Sequence, residues 1–264
     1  MHILYSRRKF VFQVVVAGVP AIFGFKTIEK IITKPGVKNT ENLKPKVLVF
    51  DVNETLLDMT PLKDKINNFF GNEFAFKQWF GLLLQYSLVD NATHHYHPFN
   101  EIADATLDML ALTSKKKIAT EEKKDILQVL IKLPPHTDVT DGLKQLKDAG
   151  YKMVTLTNSP PETLQKQLQN SGLANFFEEA LSIDEYKMYK PATEVYVSTC
   201  NKLKVATHEA LMIAAHGWDI SGAISAGMQT AFIEREGQAL YPLAANATYT
   251  GKDLTEIATN ILKA

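Results

Sequence analysis

Apolar residues along this 264-residue chain fall into two kinds of run. The first kind is short and rich in β-branched side chains: Lys46–Phe50 after Pro45, Met153–Leu156, Leu211–Ala215 and Ala231–Ile233. Such runs, bounded by turn residues, predict buried strands. Between them the apolar positions recur with a helical period, from Asp141 to a stop at Gly150, and over Glu162–Asn170, Ile220–Ala226 and Asp253–Leu262. Strands alternating with helices predict a parallel sheet joined by crossover helices, a doubly wound, Rossmann-like α/β core. The stretch 61–135 breaks the alternation. Leu62–Phe70, Phe76–Leu88, Ile102–Leu112 and Glu121–Leu133 all show helical spacing with no strand pattern between them, and Pro134-Pro135 ends the series. The pattern predicts an all-helical cap inserted directly after the first strand, which splits the core into 46–60 and 136–264.

The first 45 residues read differently. Ser6-Arg7-Arg8-Lys9 leads into an apolar run from Phe10 to Phe25, interrupted by Gln13, Gly18 and Pro20. A basic start followed by an apolar stretch has the shape of an export signal, and adjacent arginines resemble the twin-arginine type. The run falls short of the ~20 residues that span a bilayer. The expectation is an exported, periplasmic protein that contacts the export machinery transiently through this segment. A membrane anchor or an amphipathic extension of a cytoplasmic chain stays open as an alternative. Lys26–Lys46, with Pro35, Gly36 and Pro45, reads as a linker.

Composition narrows the function classes. With 45% hydrophobic residues the chain can bury a large core. Lys+Arg and Asp+Glu both number 29, so the basic footprint of a nucleic-acid binder is missing. From residue 47 onward acidic residues outnumber basic ones, so an anionic substrate would rely on local donors. The single cysteine, Cys200, excludes an internal disulfide and any Cys-based zinc cluster, and is expected on a helix facing the core.

In open parallel sheets functional residues gather beyond the carboxyl ends of the strands. Those ends carry Asp51-Val52-Asn53-Glu54-Thr55, then Thr157-Asn158-Ser159, then Lys190-Pro191 after the third strand region, then His216-Gly217-Trp218-Asp219. A strand-end Asp can act as a carboxylate nucleophile. Thr55, four residues on, can orient it, Lys190 can keep it ionised, and Asp219 can hold Lys190. An Asp, a Thr/Asn pair, a Lys and a second Asp, in this order around a helical insertion, resemble the haloacid dehalogenase superfamily of hydrolases over about residues 46–235.

Within that superfamily the chain departs from the phosphatases. They carry an acidic general acid two residues after the nucleophile, where Asn53 stands, and a Gly-Asp that helps hold magnesium, where Ala214-Ala215 stands. An amide cannot serve as that acid, and alanines offer no hard oxygen ligand. Halide needs neither protonation nor metal to leave. Met188-Tyr189-Lys190-Pro191 with Tyr196, and Trp218-Asp219-Ile220-Ser221-Gly222-Ala223, resemble motifs of type II L-2-haloacid dehalogenases. The resemblance implies hydrolysis of a short 2-halo carboxylic acid to the 2-hydroxy acid, without cofactor or metal, through an ester on Asp51. It implies substrate contacts from Thr157, Asn158 and Tyr196, and, as a carry-over, a homodimer. Hydrolysis of the ester needs a base, for which Glu54 and His216 are the candidates. Where many type II enzymes place a halide-binding Arg after a cap tryptophan, this chain has Phe80 after Trp79. The Trp79 indole N–H, the Phe80 ring edge and the Asn158 amide are the expected substitutes. His94, His95 and His97 have a spacing that could bind a divalent metal, but no acidic cluster accompanies them in the sequence.

Overall fold

The computed structural model describes residues 44–264, so the predicted export signal and most of the linker lie outside the described residues. Six strands form one all-parallel sheet: β1 Val47–Phe50, β2 Lys152–Thr157, β3 Glu179–Ser182, β4 Ala210–Ala214, β5 Gln229–Ile233 and β6 Tyr249–Gly251, in the order β3-β2-β1-β4-β5-β6. β1 lies between β2 and β4, pairing Val49 with both Val154 and Met212. Its four side chains are fully buried, which is why a run of Val and Leu closed by Phe forms the central strand.

Nine α-helices surround this sheet among the described residues. Helices α1 Thr60–Phe70, α2 Ala75–Thr93, α3 Phe99–Thr113 and α4 Thr120–Leu127 all lie between β1 and β2 in sequence. The fourth predicted cap helix changes character midway: Gln128–Lys132 is a 3-10 turn, and its Leu130 and Ile131 carbonyls accept from Gln167 and Asn170 of α6. α5 Val139–Asp148 and α6 Pro161–Asn170 flank β2, α7 Thr193–Lys202 precedes β4, α8 Gly217–Ser225 follows it, and α9 Leu254–Lys263 ends the chain. Right-handed crossovers put α5 and α6 on one face and α7 and α8 on the other. α9 returns to pack on α5, so closely that a Cβ on Gly142 would lie 2.6 Å from the Leu254 side chain.

Two elements carried no clear pattern. β6 is three residues of Tyr-Thr-Gly, too short and too polar to stand out. β3 ends at Ser182, eight residues before Lys190, and the Ile183–Glu185 turn lies between them. Cys200 is buried on α7 as expected, and burial pushes its thiol up to about 11. α8 begins three residues earlier than its periodicity suggested, so Asp219 sits in its first turn.

Candidate active site

The sheet order reverses direction at β1, whose neighbours were reached by crossovers running opposite ways, and the crevice at its carboxyl end is where such sheets bind ligands. Asp51 is the first residue beyond β1, and its amide still bonds the Ile213 carbonyl of β4. The chain then turns back on itself. Leu56 and Leu57 amides reach the Val52 carbonyl, and the Glu54 amide reaches Leu57 O. Glu54 adopts a left-handed φ of 63°, a conformation that costs a non-glycine residue about 1–2 kcal/mol. The turn is held from outside. His136 Nε2 donates to the Glu54 carbonyl at 3.0 Å, and Arg235 Nη2 donates to the Thr55 carbonyl at 3.0 Å while forming a two-pronged pair with Asp138.

Lys190 is the centre of one side of the site. Its Nζ donates to Asp51 Oδ1 at 2.9 Å, to Asp219 Oδ2 at 2.7 Å and to the Leu156 carbonyl at 2.9 Å, using all three ammonium hydrogens. The Tyr196 hydroxyl donates to Asp219 Oδ1 at 2.6 Å. Thr55 Oγ1 donates to Asp51 Oδ2 at 2.7 Å and accepts from the Ala215 amide at 2.9 Å. Burial opposes the Asp51 charge, but Lys190, His216 and Thr55 outweigh it and hold the carboxyl well below its ordinary value. Burial likewise opposes the charge of Lys190, and Asp219 and Asp51 overcome it and raise its affinity for the proton.

His216, the residue before α8, forms the other side. Its Nε2 lies 3.0 Å from Glu54 Oε2, and its Nδ1 lies 3.3 Å from Asp51 Oδ2 without the alignment of a hydrogen bond. The ring is stacked between Phe80 of the helical insertion, centroids 5.9 Å apart, and Trp218, 5.0 Å apart. Burial lowers the proton affinity of the imidazole, but Asp51 and Glu54 more than offset this and raise its pKa to about 9.

Asp51, Glu54, Thr55, Lys190, His216 and Asp219 therefore converge as expected, and Asn158 joins them by accepting from the Lys190 amide at 3.2 Å. Thr157 is buried at the end of β2 and folds its own turn, Oγ1 accepting from the Ser159 amide. Two expected substrate contacts are corrected. Trp79 is fully buried, and its indole N–H is committed to the Ala103 carbonyl at 3.0 Å, so it offers nothing to a halide. Tyr196 is buried behind Asp219 and orients that carboxylate instead of meeting substrate. The histidine cluster is likewise employed elsewhere. His97 pairs with Asp90, His95 with Thr93, and among the described residues no group of three His, Cys, Asp or Glu is placed to hold a metal ion.

Three features had no readable signature. Asn53 is tied on both ends of its amide, to Ser159 Oγ at 3.1 Å and by Gln167 Nε2 at 2.8 Å, so it joins the nucleophile turn to α6. Asn91 of α2 clasps the backbone of Tyr189, donating to its carbonyl and accepting from its amide, both at 2.9 Å, beside Lys190. The Arg235–Asp138 pair steadies the turn from below. Each partner lies about 100 residues or more away in sequence, and nothing in the local pattern announces the pairing.

The model of haloacid dehalogenase-like hydrolases matches residues 45–227. The chain belongs to the haloacid dehalogenase-like hydrolases. It is 30% identical over 191 residues to (S)-2-haloacid dehalogenase 4A of Burkholderia cepacia, covering 72% of this chain and 83% of that one. It is 27% identical over 198 residues to the (S)-2-haloacid dehalogenase of Pseudomonas sp. strain YL, covering 73% and 84%. Its fold matches the L-2-haloacid dehalogenase of Xanthobacter autotrophicus with chloropropionic acid covalently bound, with a TM-score of 0.77 at 22% identity over 83% of this chain and 98% of that one.

Proposed function

We propose that this protein hydrolyses the carbon–halogen bond of short 2-haloalkanoic acids, giving the 2-hydroxy acid and halide through an ester on Asp51. The observation that carries the reading is the state of Asp51. It is a buried carboxylate kept ionised by Lys190 on one oxygen and Thr55 on the other, and the position two residues on holds no carboxylic acid, because Asn53 is an amide whose two ends are already bonded. Such a carboxylate suits displacement of a leaving group that departs as an anion. The magnesium phosphatase reading fits less well. Both oxygens of Asp219 are taken, by Lys190 and Tyr196, and Ala214-Ala215 contributes a backbone amide to Thr55 where a carboxylate ligand would be needed.

In the first step an Asp51 oxygen attacks the halogen-bearing carbon from behind, and halide leaves with inversion. In the second, water adds to the ester carbonyl carbon, so the oxygen delivered to the 2-hydroxy acid comes from Asp51. His216 Nδ1, 3.3 Å from Asp51 Oδ2, is the base for that water in this reading, and Glu54 holds the opposite ring nitrogen. Asn158 can donate its Nδ2 to the substrate, since its Oδ1 is fixed by Lys190. Phe80 contributes an aromatic wall beside His216 where an Arg would supply a cation. The Ser6-Arg7-Arg8-Lys9 start supports export to the periplasm.

Purified protein incubated with 2-bromopropionate should release bromide equally with EDTA or magnesium, and Asp51→Asn should release none. Magnesium-dependent phosphate release from a generic ester, without bromide release, would overturn the reading.

A further inference from the structure

We propose that forming the ester on Asp51 is itself the event that turns His216 from a cation into a base. The inference rests on the dehalogenase reading and concerns the timing of one proton within it.

The geometry sets the problem. The imidazole lies between two carboxylates: Asp51 at the end of β1, facing Nδ1, and Glu54 in the following turn, facing Nε2. The other charged groups near the ring are spoken for. Lys190 lies on the other oxygen of Asp51, 5.8 Å from the Trp218 ring centroid, and is bonded to Asp51 and Asp219. Asp219, on the same helix as Trp218, turns its carboxylate to Lys190 and Tyr196. α2 presents only the uncharged ring of Phe80, and His136 meets the Glu54 carbonyl, not its carboxylate. Three buried or half-buried carboxylates, Asp51, Glu54 and Asp219, thus share two cations, and the second of these is His216. The pKa of about 9 follows from that placement.

An imidazolium cannot take a proton from water, so the free enzyme holds His216 in the wrong form for the second step. It holds it in a useful form for the first. A cation beside Asp51 attracts the substrate carboxylate and balances the departing halide at a corner where Phe80 leaves no arginine. When the Asp51 oxygen bonds to the substrate carbon and halide leaves with the pair of the broken bond, the Asp51 charge disappears. Glu54 alone then faces the ring. The Nδ1 proton passes to water entering as the halide departs, while the Nε2 proton stays on the ring, donated to Glu54 Oε2, and fixes the tautomer. Nδ1 now carries a free lone pair beside the ester carbonyl. It takes one proton from the attacking water, and the other proton of that water ends on the hydroxyl of the product. Release of the 2-hydroxy acid restores both the Asp51 carboxylate and the imidazolium. One proton leaves per turnover, and it leaves with the halide.

Asn at position 51 is a neutral stand-in for the esterified side chain. Titration of His216 by nitrogen-15 NMR in the wild-type protein should show a cation through neutral pH. In Asp51→Asn the midpoint should fall to pH 7 or below, about a hundredfold weaker hold on the proton. A smaller fall, or a ring already neutral at pH 7 in the wild type, would overturn the switch. An independent reading on the wild-type enzyme uses a pH indicator in stopped flow with 2-bromopropionate. Proton release in step with bromide supports the proposal, and proton release in step with the 2-hydroxy acid overturns it. Absence of any bromide release would instead sink the dehalogenase reading, which the ring titration does not test.

Discussion

Asp51 has two sides, and they are built on opposite plans. Toward Lys190 everything is closed: the side chains of Lys190 and Asp219 are fully buried, and every ammonium hydrogen and both Asp219 oxygens have partners. Toward His216 one ring nitrogen is buried without an aligned partner, and the chain of contacts ends at Glu54, which lines a 480 Å³ cavity with Lys63, His136 and Lys252. A fully satisfied buried network fixes one arrangement of charge. A buried ring nitrogen without an aligned partner keeps one atom free to take or give a proton. The first side keeps the nucleophile ionised and still, and the second side can accept, hold and surrender a proton.

The largest effect should come from breaking the closed side. Lys190→Met leaves Asp219 without a cation and Asp51 with His216 alone, and should lower halide release by about a thousandfold or more. It should also destabilise the fold by about 3–5 kcal/mol, the usual cost of removing one partner from a buried pair. Chemical denaturation and bromide release on the same preparation measure both. If stability fell and bromide release did not, Lys190 would be a structural cation only.

Breaking the open side should look different. His216→Gln keeps a polar group between Asp51 and Glu54 but removes the base, so it should give one equivalent of bromide per active site and then turn over roughly 10²–10⁴ times more slowly. Rapid-quench measurement of bromide and trapping of a covalent adduct by mass spectrometry separate the two steps. Loss of the burst itself would show that His216 is needed for the displacement step.

The same contrast governs pH. His216 is raised from 6.5 to about 9 on folding, so its contribution to stability is complete below pH 6.5 and disappears as the pH climbs through 9. Asp51 is depressed below 3.8, so its contribution is present above that value and disappears as the pH falls further. Unfolding free energy should therefore decline between pH 6.5 and 9 by up to about 3 kcal/mol in the wild type and stay flatter in His216→Gln. Parallel profiles would show that His216 is not the group that titrates.

How much of this is legible in the sequence depends on where each residue's partner lies. Asp51 stands out because it directly follows a buried apolar run, and Lys190 and Asp219 stand out by their order after it, since strand ends of a parallel sheet converge. Glu54 and His216 stood out for the same reason. Trp79 was misread because its indole N–H finds Ala103 on the neighbouring helix α3, a contact that no spacing announces. Asn53 could be read as not an acid, but not as a brace to Gln167, 114 residues away. The split of the fourth cap helix at Gln128 is a tertiary effect too, since the carbonyls freed there are taken by α6.

Tyr196 gives the smallest and most pointed test, because its motif position suggested a substrate contact while its hydroxyl is spent on Asp219 at 2.6 Å. Tyr196→Phe removes one donor from a carboxylate that still accepts from Lys190. A buried acceptor left without one of its donors costs about 1–3 kcal/mol, so the variant should unfold at lower denaturant concentration. Because Tyr196 acts through Asp219 and Lys190, the halide burst rate should fall by less than tenfold with KM for 2-bromopropionate unchanged. A raised KM with unaltered stability would put the hydroxyl on the substrate after all, and the closed side of Asp51 would then have an opening of its own.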